Sequence, residues 1–134
     1  MKHYEELGKK KGRPLPERPM IFMKQNSTVI PHGGDIWMPS LELGDQLDWE
    51  VELTIVIGKP CRNATKENAL SYVLGYTVGN DVSSRHWQNN AGGGQFIKGK
   101  SFDTFCPLGP VLVTTEVIKD PQTLNLSTKV NGEV

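Results

Sequence analysis

Glu50 and Glu52 lie two residues apart in the run Asp48-Trp49-Glu50-Val51-Glu52-Leu53-Thr54-Ile55-Val56-Ile57. On an extended strand that spacing puts both carboxylates on one face, roughly 6–7 Å apart along the backbone. Alternation on a half-exposed strand also makes such pairs without any function, so a solvated face is one reading of them. A third carboxylate, Asp81, follows an apolar run and is flanked by small or turn-forming residues, Gly79, Asn80, Ser83 and Ser84. Three oxygen donors without paired His or Cys suit a hard cation such as Mg²⁺, Mn²⁺ or Ca²⁺ rather than zinc. With three protein ligands, an octahedral ion keeps positions open for water or substrate. Lys100, set between Gly99 and Ser101 with Phe102 beyond, has two readings. It is either a partly desolvated cation beside an anion or an exposed side chain on a turn.

A chain of 134 residues has room for one domain. Fifteen Lys and Arg balance fifteen Asp and Glu, so the formal charge is zero. Nucleic acid and anionic membrane both demand a basic excess, and neither fits as the main partner. Fourteen glycines and nine prolines assign a large share of the chain to turns and loops. No apolar run approaches the ~20 residues of a membrane span, and the first thirty residues lack a signal-peptide core. Two cysteines, Cys61 and Cys106, make no disulfide framework. A reducing compartment is therefore expected, with both thiols as small buried hydrophobes.

The elements that must position these groups are short. Residues 1–19 carry a lysine run and a Pro-broken stretch, which reads as a mobile, lid-like segment after a helical piece over 4–8. Residues 20–23, Met-Ile-Phe-Met, predict a strand. A loop follows over 25–39, with a short strand at 28–30. Residues 48–57 give the strongest strand signal, with Val51, Leu53, Ile55 and Ile57 on one face. A helix is expected from an N-cap at residues 63–65 to Gly75, then a strand over 76–80 ending at Asp81. Ser83 or Ser84 caps a short helix carrying Arg85, Trp87 and Gln88, followed by a flexible loop over 89–94. Strands are predicted at 111–114 and 124–130. Asn131-Gly132 is a strong hairpin signal because a type I′ turn needs positive φ at both central residues. Only Glu133 and Val134 follow it, so the strand at 124–130 lacks a partner and the chain reads as cut in mid-hairpin.

Taken together, four blocks resemble the fumarylacetoacetate hydrolase superfamily. They are Asp48-Trp49-Glu50-Val51-Glu52-Leu53, the run from Gly75 through Asp81 to Arg85, Trp87-Gln88, and Gly99-Lys100-Ser101-Phe102-Asp103 through Pro110. In wording and spacing they are most similar to the domain-containing branch that includes mitochondrial oxaloacetate tautomerases. The resemblance implies a mixed, β-rich α+β fold, a roll of curved sheets with a few short helices, usually dimeric. It implies Glu50, Glu52 and Asp81 as metal ligands, with Mg²⁺, Mn²⁺ or Ca²⁺ as the cofactor. Arg85 and Gln88 would face the substrate, and Lys100 would stabilise a developing oxyanion or enolate. The family's His-x-x-Glu pair matches His3-Tyr4-Glu5-Glu6, which makes His3 and Glu6 the proton-handling dyad. His86 stands where the branch often carries an acidic residue. Two departures concern the ends of the chain. The family has a strand leading into an Asn-Tyr turn before the His-x-x-Glu pair, and further strands with a Gly-Thr-Pro-rich loop after the hairpin. Residues 1–134 therefore read as a partial catalytic domain, without its N-terminal strand, its C-terminal portion and its true N-terminus.

The implied activity is a divalent-metal-dependent reaction of small 2-oxo acids through a metal-stabilised enolate, with keto–enol tautomerisation of oxaloacetate in the lead. C–C hydrolysis of acylpyruvate or fumarylacetoacetate-like substrates uses the same groups and is the alternative. A truncated chain without catalysis is the reading from another class. A generic cation-binding structural domain explains Glu50 and Glu52 but leaves Lys100, Arg85 and Gln88 without a role. The partners implied are the small 2-oxo acid and a second copy of the chain, with no nucleic acid and no membrane. The compartment implied by the resemblance is mitochondrial; without it, cytoplasmic.

Overall fold

The computed structural model describes residues 8–10, 12, 14, 16–40 and 46–134. The dyad His3 and Glu6, and most of the segment read as a lid, lie outside the described residues. The backbone is β-rich with a few one- or two-turn helices, the mixed architecture expected. A curved sheet holds β1 (Val29–Pro31), β3 (Val51–Ile57), β4 (Val73–Asn80), β6 (Cys106–Leu108) and β7 (Val113–Thr114). Its order is β1-β6-β4-β3, with β7 also on β4. A two-stranded ribbon pairs β2 (Leu47–Asp48) with β5 (Ser83–Ser84). Between β5 and β6 come a π-helix (His86–Ala91) and a one-turn helix α1 (Phe96–Lys100).

The antiparallel β3–β4 ladder runs from Val51↔Asn80 to Ile57↔Val73. Glu50 and Asp81 lie one residue beyond its end, where the Asp81 N–H donates to the Glu50 carbonyl at 2.9 Å. The ladder thus fixes the spacing of two of the three carboxylates. Its apolar face is only half covered, with Ile55 50% and Val78 45% exposed. Among the described residues Tyr76, Val82 and Phe105 are the buried apolar side chains, and the rings of Phe102 and Phe105 meet at 5.3 Å.

Several expected elements differ. Residues 20–23 form no strand and pair with none among the described residues. The helix expected from residues 63–65 to Gly75 is a single 3₁₀ turn, Ala69–Tyr72, and Val73 already belongs to β4. Asn63 takes φ of 55°, and the Thr65 N–H donates to the Asn68 side chain, local arrangements that compete with helical pairing. The loop expected over 89–94 is partly helical, since the π-helix continues to Ala91. No strand forms over 124–129; the alternation there finds no neighbouring strand among the described residues. The Asn131-Gly132 turn does form, with φ of 53° and 88° and both Val130–Glu133 backbone bonds. Cys61 is exposed and Cys106 half-buried, so neither is the buried hydrophobe expected; burial nonetheless raises the Cys106 thiol above its usual pKa.

Candidate metal centre

Carboxylate oxygens of Glu50, Glu52 and Asp81 all lie within 4.8 Å of one another. Glu50 and Glu52 project together because β3 alternates. Asp81 enters where β4 ends, held by the Asp81–Glu50 backbone bond and by Asn80, whose side-chain oxygen accepts from the Glu50 N–H at 3.1 Å. The Ser83 hydroxyl donates to the Asp81 carbonyl at 3.0 Å, which fixes the turn that follows. The three expected ligands are brought together.

A cation's fit can be tested on this donor set. An ion with metal–oxygen bonds of about 2.1–2.4 Å places opposite ligand oxygens ~4.2–4.8 Å apart, and the triad meets that span. Oxygen-only donors select a hard ion. Burial, then the charges of Asp81 and Glu50, push the Glu52 carboxyl above its usual range, with Lys100 and Lys24 pulling the other way. Repulsion of that kind is what a bound cation relieves. Together these features match Mg²⁺, Mn²⁺ or Ca²⁺.

Lys100 is not on an exposed turn. It ends α1 and is 1% exposed, with its ammonium 2.6 Å from Asp81 Oδ2 and 3.1 Å from Glu50 Oε1. Gly99 explains how it gets there: a Cβ at that position would fall 2.6 Å from the Gln88 nitrogen and 2.7 Å from the Ser84 carbonyl. Only glycine lets α1 approach the π-helix and β5 this closely. The Phe22 ring lies 5.2 Å from the ammonium, within cation–π range.

Arg85 reaches Glu50 of the triad, and Gln88 bonds to Arg85. Arg85 Nη1 donates to Gln88 Oε1 at 2.6 Å, Nε to Asp48 Oδ2 at 2.8 Å, and Nη2 pairs with Glu50 Oε1 at 2.7 Å. Although burial works against it, hydrogen bonds to Asp48 and Glu50 hold the guanidinium above its usual pKa. In this geometry Arg85 braces a ligand carboxylate. Asp48 and Lys24 were missed in the sequence. Lys24 donates to Asp81 Oδ1 at 2.5 Å and to the Val82 carbonyl at 3.1 Å. Its signal was the period-2 pattern of Phe22 and Lys24, which is visible only if residues 20–25 are read as one extended strap.

The whole chain, residues 1–134, matches the family described as fumarylacetoacetate (FAA) hydrolase C-terminal. The chain belongs to this family. It is 47% identical over 121 residues to the mitochondrial oxaloacetate tautomerase fahd2 of Xenopus laevis, covering 90% of this chain and 37% of that protein. It superposes on the 5-carboxymethyl-2-hydroxymuconate delta-isomerase of Mycobacterium smegmatis with a TM-score of 0.67 and 45% identity, over 74% of this chain and 38% of that one. For the fumarylacetoacetate hydrolase of the psychrophile Exiguobacterium antarcticum the TM-score is 0.66 at 42% identity, over 74% of this chain and 35% of that one. The chain thus spans somewhat over a third of the length of these relatives, all named as enzymes.

One consequence concerns Glu52, whose charged form is disfavoured in the folded chain. A carboxyl raised above its unfolded value begins to cost stability as pH rises through the ordinary 4.5, costs most above its folded value, and costs nothing well below 4.5. Glu52 is exposed on one side, so solvent screens this repulsion, and Glu52→Gln is therefore expected to raise the Tm of the metal-free chain at pH 7 only slightly. The gain should vanish below the ordinary carboxylate range. Calorimetric melts in EDTA at pH 7 and pH 4 check both statements.

Proposed function

We propose that the chain supplies the metal centre of an enzyme acting on small 2-oxo acids, with keto–enol tautomerisation of oxaloacetate as its reaction. One observation carries this reading: a buried lysine ammonium touching two members of a three-carboxylate cluster. When bound, a divalent cation supplies Lewis-acid polarisation of the substrate's 2-oxo oxygen. Glu50, Glu52 and Asp81 would hold it. Lys100 holds its charge where negative charge develops as the α-proton leaves, and its burial keeps that charge strong and already oriented. Arg85 fixes Glu50 and is itself held by Gln88, and the pair is assigned to the substrate carboxylate.

His3 and Glu6 are proposed as the proton-handling dyad, a role supported by their match to the family's His-x-x-Glu pair. A near-neutral imidazole can shuttle the α-proton or activate water, and the carboxylate three residues on can orient it. C–C hydrolysis of acylpyruvates is the second reading, favoured by the likeness to a fumarylacetoacetate hydrolase. Hydrolysis needs a positioned water and a base for it; tautomerisation needs only proton relay. In a chain extended to the length of the relatives, His3→Ala is expected to abolish acylpyruvate cleavage and to reduce oxaloacetate tautomerisation by a smaller factor. Ultraviolet absorbance at saturating Mg²⁺ follows both rates on one preparation. Equal, negligible losses would remove His3 from the mechanism. No oxaloacetate tautomerisation above the solvent rate by that extended chain would sink the leading reading.

Mitochondrial location is proposed from the names of the relatives. A homodimer is proposed because the β3–β4 face leaves Ile55 and Val78 half exposed, an apolar patch of the kind that marks interfaces.

A further inference from the structure

We propose that Lys24 is a positioning residue of the metal centre, carried there by an extended strap over residues 20–25 that forms one wall of the site. Among the described residues the strap has no strand partner, yet its side chains divide between solvent and site. Ile21 and Met23 are 88% and 68% exposed, while Phe22 lies against Lys100 and Phe96 and Lys24 reaches Asp81. Its end is pinned by the Gln25 N–H, which donates to the Ser101 hydroxyl at 3.2 Å, just past α1. Asp81, 5% exposed, then carries an ammonium on each oxygen, Lys24 on Oδ1 and Lys100 on Oδ2. The two lysines come from opposite sides and from segments far apart in sequence, so the carboxylate cannot rotate without losing both bonds.

The Lys24 ammonium also grips the Val82 carbonyl next to Asp81, so it fixes the backbone and the side chain of one ligand together. Outer contacts that orient a ligand typically set metal affinity within about 10–100-fold. Two effects of removing Lys24 have opposite sign, and that makes its role testable. Loss of a positive charge beside an anionic site should tighten cation binding. Loss of orientation should loosen it. If Lys24 positions Asp81, orientation wins.

The inference rests on the metal-centre reading, and the test separates the two. Mn²⁺ is titrated into the chelator-stripped 134-residue chain by calorimetry, for the unmodified protein, Lys24→Met and Lys24→Arg. Lys24→Met is expected to weaken Mn²⁺ binding by about 10–100-fold, with Lys24→Arg recovering part of the loss. Limited proteolysis should cut the strap faster in Lys24→Met, while near-ultraviolet dichroism reports whether the rest stays folded. Unchanged or tighter Mn²⁺ binding by a folded Lys24→Met overturns the positioning role and leaves the metal centre standing. A Lys24→Met chain that loses its dichroism is replaced by Lys24→Gln, read against the same two outcomes. An unmodified chain that binds no Mn²⁺ overturns the metal reading and this inference with it.

Discussion

Lys100→Met, in a chain extended to the length of the relatives, should slow oxaloacetate tautomerisation by about 10²–10³ in kcat, with a much smaller change in KM. The ammonium is 1% exposed and has two carboxylate partners within 3.1 Å, so its charge is preorganised rather than recruited by substrate. Groups of that kind act on the transition state, where the 2-oxo oxygen gains negative charge, more than on the ground state. Methionine fills nearly the same volume, and its thioether would still pack near Phe22. The substitution therefore removes charge more than shape. A kcat within about twofold of the unmodified enzyme, alongside native dichroism, would take Lys100 out of the reaction, since preorganised groups contribute far more.

Asp81→Asn should have the largest combined effect. It neutralises one carboxylate of the cluster and also strips the shared counter-ion from Lys24 and Lys100, which are 15% and 1% exposed. Breaking a buried pair by removing one partner typically costs about 3–5 kcal/mol, because the remaining charge stays buried and unpaired. A melt of the metal-free variant is expected to show that loss, together with no measurable Mg²⁺ affinity. The contrast with Glu52→Gln is diagnostic. Both variants lose a ligand, yet one relieves repulsion and the other exposes it. Similar melting shifts for the two would mean that the lysines do not depend on Asp81 as the geometry implies.

The clustering of the three carboxylates was legible in the sequence because two of them share a strand face and the third closes the next strand. Strand alternation survives in almost any context, so Glu50 and Glu52 kept their relation. The β3–β4 ladder then brought Asp81 beside them. Lys100 was harder to place. Its helix, Phe96–Lys100, is one turn long with a glycine inside, and neither propensity nor period marks such a segment. Lys24 was hidden by its surroundings. Read alone, the run over 20–23 looks like a buried strand, whereas Ile21 and Met23 face outward and Phe22 acts with Lys24 as a wall. The expected helix ending at Gly75 failed for a different reason. Val73 is paired with Ile57, and sheet pairing outweighs the local preference of a short polar stretch. Asp48 was within the quoted strand but its link to Arg85 depends on the β2–β5 ribbon, which two-residue strands do not announce.

The central claim is that Glu50, Glu52 and Asp81 act as one hard-cation site. Its most direct test is calorimetric titration of Mn²⁺ into the chelator-stripped chain, unmodified and as Glu50→Gln, Glu52→Gln and Asp81→Asn. The expected result is one ion per chain, with each substitution weakening binding by more than the ~10–100-fold that an outer contact carries. Mn²⁺ bound as tightly by Glu52→Gln as by the unmodified chain would contradict it.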